Sequence, residues 1–421
     1  MLIEFSVSNF LSFKEHATLS METGRALKKH RKNTFDKNGT KLLKNALLFG
    51  ANGSGKSNFL VAMNTFRKMV VEPTSDIEKS LAYMPFMLDD YSDNIPTHFS
   101  ITFIVNDQKY RYELDYMEKE IVKESLIEWD KKGEEKTYFI RGKATDNEIL
   151  PELLKIVRPS VRPNKLLLYV GQQHNDPRCI DVFKWFNSAL IFESNRTNKQ
   201  LFTTLINNPE KKAMFIDLIK SVDIDALDII VQEVIEEIPE PLSKWLDFQD
   251  NKIKNIEVFI KHPTFDEKGQ LIYGDDGNPQ TTLISYEMES TGTRKLMVFL
   301  LMVLNSIGKD QVIIMDEFDD SFHLSLTLAI LNLVNSEYNN NQFIFTTHTL
   351  NLLDADLRVD QIYFTEKRFT GETELFSLFD FNDLKAIPRS DVTFFRRYLK
   401  GRFGALPALD ENTLVKFFKE S

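Results

Sequence analysis

Hydrophobic and polar positions alternate near the start of the chain and then change to a helical period. Residues 2 to 9 alternate and predict a strand, residues 17 to 21 predict a second strand, and the apolar residues 45 to 49 predict a third. Between residues 56 and 70 apolar side chains recur at helical spacing. A glycine-rich segment separates the third strand from this helix. The pattern therefore predicts a strand, a glycine loop and a helix in direct succession.

The middle of the chain changes character twice. Residues 97 to 141 contain short alternating runs separated by turn residues, which predict an antiparallel meander. Helical spacing then dominates from residue 146 to residue 250, and the predicted helices are 148–157, 181–190, 208–222 and 241–248.

The last third of the chain alternates between strands and helices. Strands are predicted at 253–261 and 283–288, with a hairpin tip at 275–278, and are followed by helix 293–306, strand 311–315, helix 324–335 and strand 342–346. Such alternation is typical of a parallel sheet covered by helices. We therefore predict one α/β domain with a mixed sheet, built from residues 1–145 and 251–421, which carries a helical insertion subdomain at residues 146–250.

Composition narrows the class of protein. The 421 residues are 42% hydrophobic and carry a formal net charge of -10, which argues against a surface that coats DNA without specificity. Two basic segments, residues 25–32 and Arg396–Arg397, leave a local basic site open, although solvated loops are the preferred interpretation. The single Cys179 excludes an intramolecular disulfide. We find no signal peptide and no apolar stretch of membrane-spanning length, so we expect a cytoplasmic protein without a membrane partner.

The glycine-rich segment is a complete phosphate-binding loop. Consecutive backbone N–H groups and the start of a helix converge on an anion in such a loop, and the glycines permit the tight backbone. We expect Lys56 to neutralise the β- and γ-phosphates of ATP and Ser57 to offer its hydroxyl to Mg²⁺. The predicted nucleotide-binding residues are Gly50, Ala51, Asn52, Gly53, Ser54, Gly55, Lys56, Ser57 and Asn58.

Two later strand ends carry the residue types that ATP hydrolysis requires. The apolar run 312–315 ends in Asp316, predicted to hold Mg²⁺, and in Glu317, predicted to orient or deprotonate the attacking water. His348 follows the next apolar strand and is predicted to donate to the γ-phosphate. Acids or a histidine at a strand end are common in structural roles, so these functions depend on the presence of the phosphate loop.

Ser290 and Gly292 precede a predicted helix, where a hydroxyl and a glycine N–H suit a γ-phosphate. Alone, they would simply be a helix cap. Because one subunit cannot reach its nucleotide from both sides, we expect them to act on the ATP of a second subunit, which makes the protein at least a dimer. Residues 318–323 would then cross the dimer interface, or else cap the following helix through Asp320 or Ser321.

One expected part has no clear candidate. A glutamine that links the γ-phosphate to the inserted domain should follow the phosphate-loop helix. Gln108, Gln172 and Gln173 qualify by type but lack a convincing context, and residues 83–86, in the expected region, contain no glutamine.

The chain resembles the ABC-type ATPases of the Rad50, RecF and OLD lineage, and more closely the bacterial ATPases of the abortive-infection AbiL/RloA type. The matching motifs are SNFLSF at residues 8–13, GANGSGKSN at 50–58, ESTGT at 289–293, DEFDDSFH at 316–323, TTHTLNLL at 346–353 and YLKGRFGALP at 398–407. The family often has proline after the histidine that matches His323, where this chain has Leu324.

The resemblance implies an ATP-hydrolysing switch in phage defence that controls a separate effector protein encoded nearby. OLD-type relatives carry a C-terminal nuclease domain. Here 73 residues follow His348 and contain no acidic metal cluster, so we expect any nuclease activity to belong to a partner. A RecF-like repair ATPase that binds duplex DNA is the alternative. An ATPase subunit of a transporter fits poorly, because such subunits lack this meander and insertion.

Overall fold

The computed structural model describes residues 1–24, 27–73, 76, 78–130, 132–142, 148–237, 252–381 and 393–405. Its strands are β1 Leu2–Ser8, β2 Ala17–Ser20, β3 Thr34–Lys37, β4 Thr40–Leu43, β5 Asn45–Phe49, β6 Thr97–Val105, β7 Gln108–Tyr116, β8 Ile121–Trp129, β9 Glu135–Gly142, β10 Leu190–Phe192, β11 Asp228–Glu237, β12 Lys252–Pro263, β13 Thr281–Ser285, β14 Val312–Met315, β15 Gln342–Thr347, β16 Ile362–Lys367 and β17 Thr373–Ser377. The described α-helices are α1 Lys56–Val71, α2 Glu152–Val157, α3 Leu167–Gln173, α4 Pro177–Ser188, α5 Asn195–Ile206, α6 Pro209–Lys220, α7 Thr291–Ser306, α8 Leu324–Val334 and α9 Phe394–Leu399.

The chain divides into two units. The first comprises Met1–Phe192, Gly308–Asp319 and Leu328–Ser421, and the second comprises Glu193–Ile307 and Asp320–Thr327. Helices α2 to α4 lie in the first unit, whereas α5 to α7 lie in the second. The predicted division at residues 145 and 250 stays a prediction.

A mainly parallel sheet in the first unit brings the candidate site together. Its strand order is β10-β14-β15-β5-β16-β17, and only β17 runs antiparallel to its neighbour. Strand β5 is buried along its whole length, as expected of a strand covered on both faces. Because β5, β14 and β15 are parallel neighbours, the loops that follow them meet at one edge of the sheet.

The antiparallel meander is the second sheet of the first unit, with the order β2-β1-β6-β7-β8-β9. Its core residues form one cluster with those of α1 and of the parallel sheet. Phe66 of α1 stacks on Tyr112 at a centroid distance of 5.5 Å and meets Phe186 edge to face at 5.3 Å. These ring contacts pack α1 against the meander and against α4, which fixes the helix that begins at the glycine loop.

A buried carboxylate ties α3 to the meander. Glu124 of β8 is fully buried and accepts hydrogen bonds from Arg141 Nε at 2.7 Å and from the backbone N–H groups of Leu167 and Leu168, both at 2.8 Å. Tyr112 donates its hydroxyl to the same carboxylate at 2.9 Å. A carboxylate with this many donors is stable without water, and its loss would leave a buried guanidinium unpaired.

The second unit contains the three-stranded antiparallel sheet β11-β12-β13 and the helices α5, α6 and α7. Strand β11 pairs with β12 from Asp228 opposite Lys261 to Glu237 opposite Lys252. Helix α7 is buried over much of its length and begins at Ser290, whose side chain caps it by accepting from Thr293 N at 3.1 Å.

Several predicted elements need correction. The region predicted to be helical contains strands β10 and β11. Strand β10 is too short to show a pattern, and its partner β14 lies about 120 residues further along the chain, whereas β11 pairs with the next strand, β12. The strand predicted at residues 283–288 ends at Ser285, whose side chain caps a 3-10 turn, Tyr286–Met288. The helix predicted at 241–248 lies outside the described residues. In the described part of the chain, no helix is long and apolar enough to span a bilayer.

Candidate active site

The glycine loop connects β5 to α1 as predicted. Gly53 and Gly55 have φ angles of 73° and 107°, a region that residues with a side chain rarely adopt. A Cβ added to Gly50 would lie 2.4 Å from the hydroxyl of Thr365, and one added to Gly55 would lie 2.4 Å from the hydroxyl of Thr373. The glycines therefore allow the backbone to turn and to pack directly on the neighbouring strands, which leaves the cradle of N–H groups open to an anion.

Hydroxyl groups from outside the motif support the loop. Ser54 Oγ and Thr365 Oγ1 are 2.6 Å apart, and Thr373 donates to the carbonyl of Ser54 at 3.0 Å. The Ser12 hydroxyl lies 2.8 Å from Thr373 Oγ1 and can donate to it, and Ser12 Oγ accepts from the amide of Asn58 at 2.9 Å. Asn58, predicted to contact the nucleotide, thus holds the β1–β2 connection against α1, and its role towards ATP stays a prediction.

Lys56 is buried within the loop. Its ammonium donates to the carbonyl oxygens of Gly50 at 2.8 Å and Ala51 at 3.1 Å, and its side chain is only 4% exposed. Burial lowers the pKa of Lys56 to about 8, although the nearby carboxylates of Asp316 and Glu317 act in the opposite direction. A phosphate that binds beside this buried ammonium would stabilise its charged form, because an anion offsets the cost of burial.

The end of β14 presents both predicted acids. The side chain of Thr346 on the neighbouring strand β15 donates to Asp316, and its Oγ1 accepts from Glu317 N at 2.6 Å. Glu317 has a φ of 46°, so the backbone bends sharply where the strand ends. This bend and the hydrogen bonds of Thr346 give Asp316 and Glu317 different orientations. Both acids are exposed to solvent.

His348 lies between the lysine and the glutamate. Its Nδ1 is 3.4 Å from Lys56 Nζ, and its Nε2 is 3.5 Å from Glu317 Oε1. An ammonium can only donate, so Nδ1 acts as the acceptor and the ring proton belongs on Nε2, towards the carboxylate. The structure thus brings Lys56 together with Glu317 and His348, which lie more than 250 residues further along the sequence, and Asp316 stands beside them.

The residues predicted to hold Mg²⁺ offer suitable ligands. Ser57 supplies a hydroxyl oxygen and Asp316 a carboxylate oxygen, and both residues are exposed. Mg²⁺ prefers such oxygen ligands and usually binds through one or two protein groups together with phosphate oxygens and water. The residues present therefore fit a magnesium ion that binds with ATP.

The segment after Glu317 begins in the core. Phe318 stacks on Phe345 at a centroid distance of 4.2 Å, and Asp319 accepts from the Thr347 hydroxyl at 2.7 Å. Neither Asp320 nor Ser321 caps α8: the N–H of Thr327 bonds to the carbonyl of His323 at 3.1 Å. The predicted alternative, in which Asp320 or Ser321 caps the helix, is therefore wrong, because α8 begins after His323.

The second unit contains the other predicted ligands, Ser290 and Gly292. A Cβ on Gly292 would lie 2.9 Å from the carbonyl oxygen of Ser321, and Lys295 Nζ lies 3.6 Å from Asp320 Oδ2. The start of α7 is therefore packed against residues 320–321, with only a glycine fitting at position 292. The Ser290 hydroxyl serves as the cap of α7 and is exposed.

The missing glutamine is not found among the sequence candidates. Gln108 donates its amide to the carbonyl of Trp129 at 2.5 Å within the meander, and Gln172 and Gln173 are the last residues of α3. The contact of Gln108 accounts for a structural role, and the glutamine that would contact the γ-phosphate stays unassigned.

A parallel sheet whose strands deliver a phosphate loop, two strand-end acids and a histidine to one edge defines an ABC-type P-loop ATPase. The comparison with family models agrees: the chain belongs to the family described as "AAA domain, putative AbiEii toxin, Type IV TA system", whose model matches residues 46–354. This confirms the predicted class of ABC-type AAA ATPases related to abortive-infection systems.

Solved structures similar to the chain include the SMC head domain from Thermotoga maritima, at 14% identity, with 89% of this chain and 98% of that chain covered and a TM-score of 0.38. An SMC head bound to the C-terminal domain of ScpA, derived from Pyrococcus furiosus, matches at 12% identity, with 89% and 96% covered and a TM-score of 0.37. Both likenesses are too remote to support an inference about partners. No match was found among curated proteins.

Proposed function

We propose that the protein is an ATP-driven switch in which two subunits close around two ATP molecules and thereby control a separate effector. The observation that carries this proposal is the position of His348 within 3.5 Å of both Lys56 and Glu317. His348 contacts both Lys56, the cation proposed to bind phosphate, and Glu317, the proposed base. A site with this arrangement can respond to the presence of the γ-phosphate.

Within one subunit, the glycine loop and Lys56 bind the phosphates, and Ser57 and Asp316 hold Mg²⁺, which neutralises phosphate charge. Glu317 orients or deprotonates the attacking water. His348 presents its Nε2 proton towards the reacting side of the site, where it donates to the γ-phosphate. The Lys56 ammonium exchanges the carbonyl oxygens of the loop for phosphate oxygens, which are stronger acceptors.

The second subunit completes the site. Ser290 and Gly292 stand at the start of α7, and a hydroxyl together with the N-terminus of a helix suits an anion. Residues 320–321 pack against Gly292, so the segment after the acidic strand and the start of α7 would move together when the dimer closes. Hydrolysis removes the γ-phosphate that both subunits bind, and the dimer reopens.

Family membership supports the biological setting. The family description names an AbiEii toxin of a toxin–antitoxin system, so we place this ATPase in abortive infection, where it regulates an effector protein encoded nearby. ATP closure would expose or shield the surface to which the effector binds.

The first experiment is the solution mass of the Glu317→Gln protein with and without Mg-ATP, measured by light scattering. We expect ATP to convert a smaller species into a dimer or larger species, because the variant binds ATP without turning it over. Ser290→Ala in the same background should bind ATP but fail to assemble, whereas Ser285→Ala, outside the proposed interface, should assemble normally. A monomer with ATP bound in the Glu317→Gln protein would contradict the two-subunit site.

A further inference from the structure

A histidine of the second unit lies between two hydrogen-bond acceptors, next to the segment that leads into α7. His262 stands near the end of β12, where its Nδ1 is 2.8 Å from the carbonyl oxygen of Asp225 and its Nε2 is 2.7 Å from Glu289 Oε1. A carbonyl oxygen and an ionised carboxylate can only accept, so both ring nitrogens carry protons. His262 is therefore an imidazolium ion that pairs with the carboxylate of Glu289.

This ion pair attaches Glu289 to the sheet of the second unit. The side chains of His262 and Glu289 are 21% and 13% exposed, so water screens their attraction less than it would on the open surface. The turn that supplies the Asp225 carbonyl is itself bonded to β12, because Leu227 N donates to the carbonyl of Lys261 at 2.7 Å. The ring is thus held from both sides, and its position fixes that of the glutamate.

The charge of Glu289 matters because of the residue that follows it. Ser290, proposed to contact the γ-phosphate of a second subunit's ATP, is the next residue, and consecutive Cα atoms are only about 3.8 Å apart. An unpaired carboxylate at position 289 would repel an anion bound there. Glu287, two residues earlier, is paired in the same way, since it accepts from Arg294 at 3.0 Å. The acids at 287 and 289 are therefore both neutralised, the nearer one by His262.

We propose that His262 is a positioning residue for the two-subunit ATP site: it neutralises Glu289 and holds the segment that presents Ser290 to the ATP of a second subunit. This inference rests on the proposed function, because it concerns the half of the site that acts on another subunit's nucleotide. The phosphate loop belongs to the first unit, whereas His262 and Glu289 belong to the second. Binding of ATP by a single subunit should therefore not depend on the pair.

The test measures the dissociation constant of the ATP-bound dimer by light scattering, with the whole chain carrying Glu317→Gln as the parent protein and with saturating Mg-ATP. The variants made in this parent are His262→Ala, Glu289→Gln and the two together. The matched control is His98→Ala, because His98 is also a half-buried histidine, paired with Asp115 at 2.5 Å, but lies in the meander of the first unit. Anisotropy of a fluorescent ATP analogue, at protein concentrations below assembly, measures the ATP affinity of each single subunit.

We expect His262→Ala to raise the dissociation constant of the dimer at least about tenfold, because one uncompensated carboxylate then faces each bound phosphate. Its ATP affinity as a single subunit should match that of the parent. Glu289→Gln should assemble as the parent does, since a neutral amide needs no counter-charge. The double variant should recover most of the loss, a result that a purely structural defect of the histidine variant would not give.

Two sets of results separate this proposal from the proposed function. Assembly of His262→Ala equal to that of the parent, a double variant as impaired as His262→Ala, or an equal loss in His98→Ala would overturn the role of His262 while leaving the ATP-driven dimer intact. A parent protein that stays monomeric with ATP bound would contradict the two-subunit function, and the role of His262 would fall with it.

Discussion

The depressed pKa of Lys56 predicts that ATP affinity falls as pH rises above about 8. The ammonium is buried, which lowers its pKa from 10.5 to about 8 in the protein without a ligand. A bound phosphate favours the charged form and raises the pKa again. Well below pH 8 the lysine is protonated with and without ATP, so affinity does not depend on pH. Above pH 8 binding must include the uptake of a proton, so affinity declines.

The expected size follows from the protonated fraction of Lys56. With a pKa near 8, about nine tenths of the unliganded protein carries the proton at pH 7 and about one tenth at pH 9. Affinity should therefore be about tenfold lower at pH 9 than at pH 7. The terminal phosphate of ATP has a pKa near 6 and is ionised throughout this window.

Calorimetric titration of the protein, with Glu317 intact, with a non-hydrolysable ATP analogue and Mg²⁺ between pH 7 and pH 9 measures this effect without hydrolysis. Lys56→Arg is the matched control, because its guanidinium stays charged over the whole range and its affinity, although weaker, should not depend on pH. Two results would refute the conclusion that Lys56 takes up the proton. The ATP affinity of the protein with Lys56 could change less than twofold between pH 7 and pH 9, or the affinity of the Lys56→Arg variant could decline equally.

Four further substitutions test other parts of the structure. Glu317→Gln should retain ATP affinity while turnover falls by about 10²- to 10⁴-fold, and unchanged turnover in a steady-state phosphate assay would remove this residue from the mechanism. Glu124→Gln leaves Arg141 buried without its anion, so we expect a loss of about 3–5 kcal/mol in urea unfolding; a loss under about 1 kcal/mol would contradict the pairing. Gly55→Ala places a methyl group 2.4 Å from the hydroxyl of Thr373 and should abolish ATP binding. Gly53→Ala meets open space, so we expect it to cost about 1–2 kcal/mol in stability and to retain measurable ATP binding. Equal ATP affinities of the two variants would contradict the steric argument.

Elements defined by local rules were predictable from the sequence. Strand β5 matches its predicted bounds, and α1 begins at Lys56 as predicted, because the glycines and the helical spacing are contained within a single short segment. Strand β14 was predictable as well, since a short, continuous apolar run that ends in two acids is typical of a buried strand. In contrast, β16 and β17 were missed, although β16 pairs directly with β5. Their sequences alternate only weakly. The position of β16 is set by β5, more than 300 residues earlier in the chain, and β17 pairs only with β16 among the described strands.

Three threonine hydroxyls that hold the motif residues in place show why sequence motifs predict only part of an active site. Thr346, Thr365 and Thr373 come from β15, β16 and the start of β17, and each bonds to a motif residue through its hydroxyl. Threonine is a common strand residue, so its type carries no signal. Its contact with the loop depends on the register between strands, since a shift by one residue would turn the hydroxyl to the other face. The sequence therefore predicts which groups meet ATP, whereas the hydroxyls that hold those groups in position emerge only when the sheet is assembled.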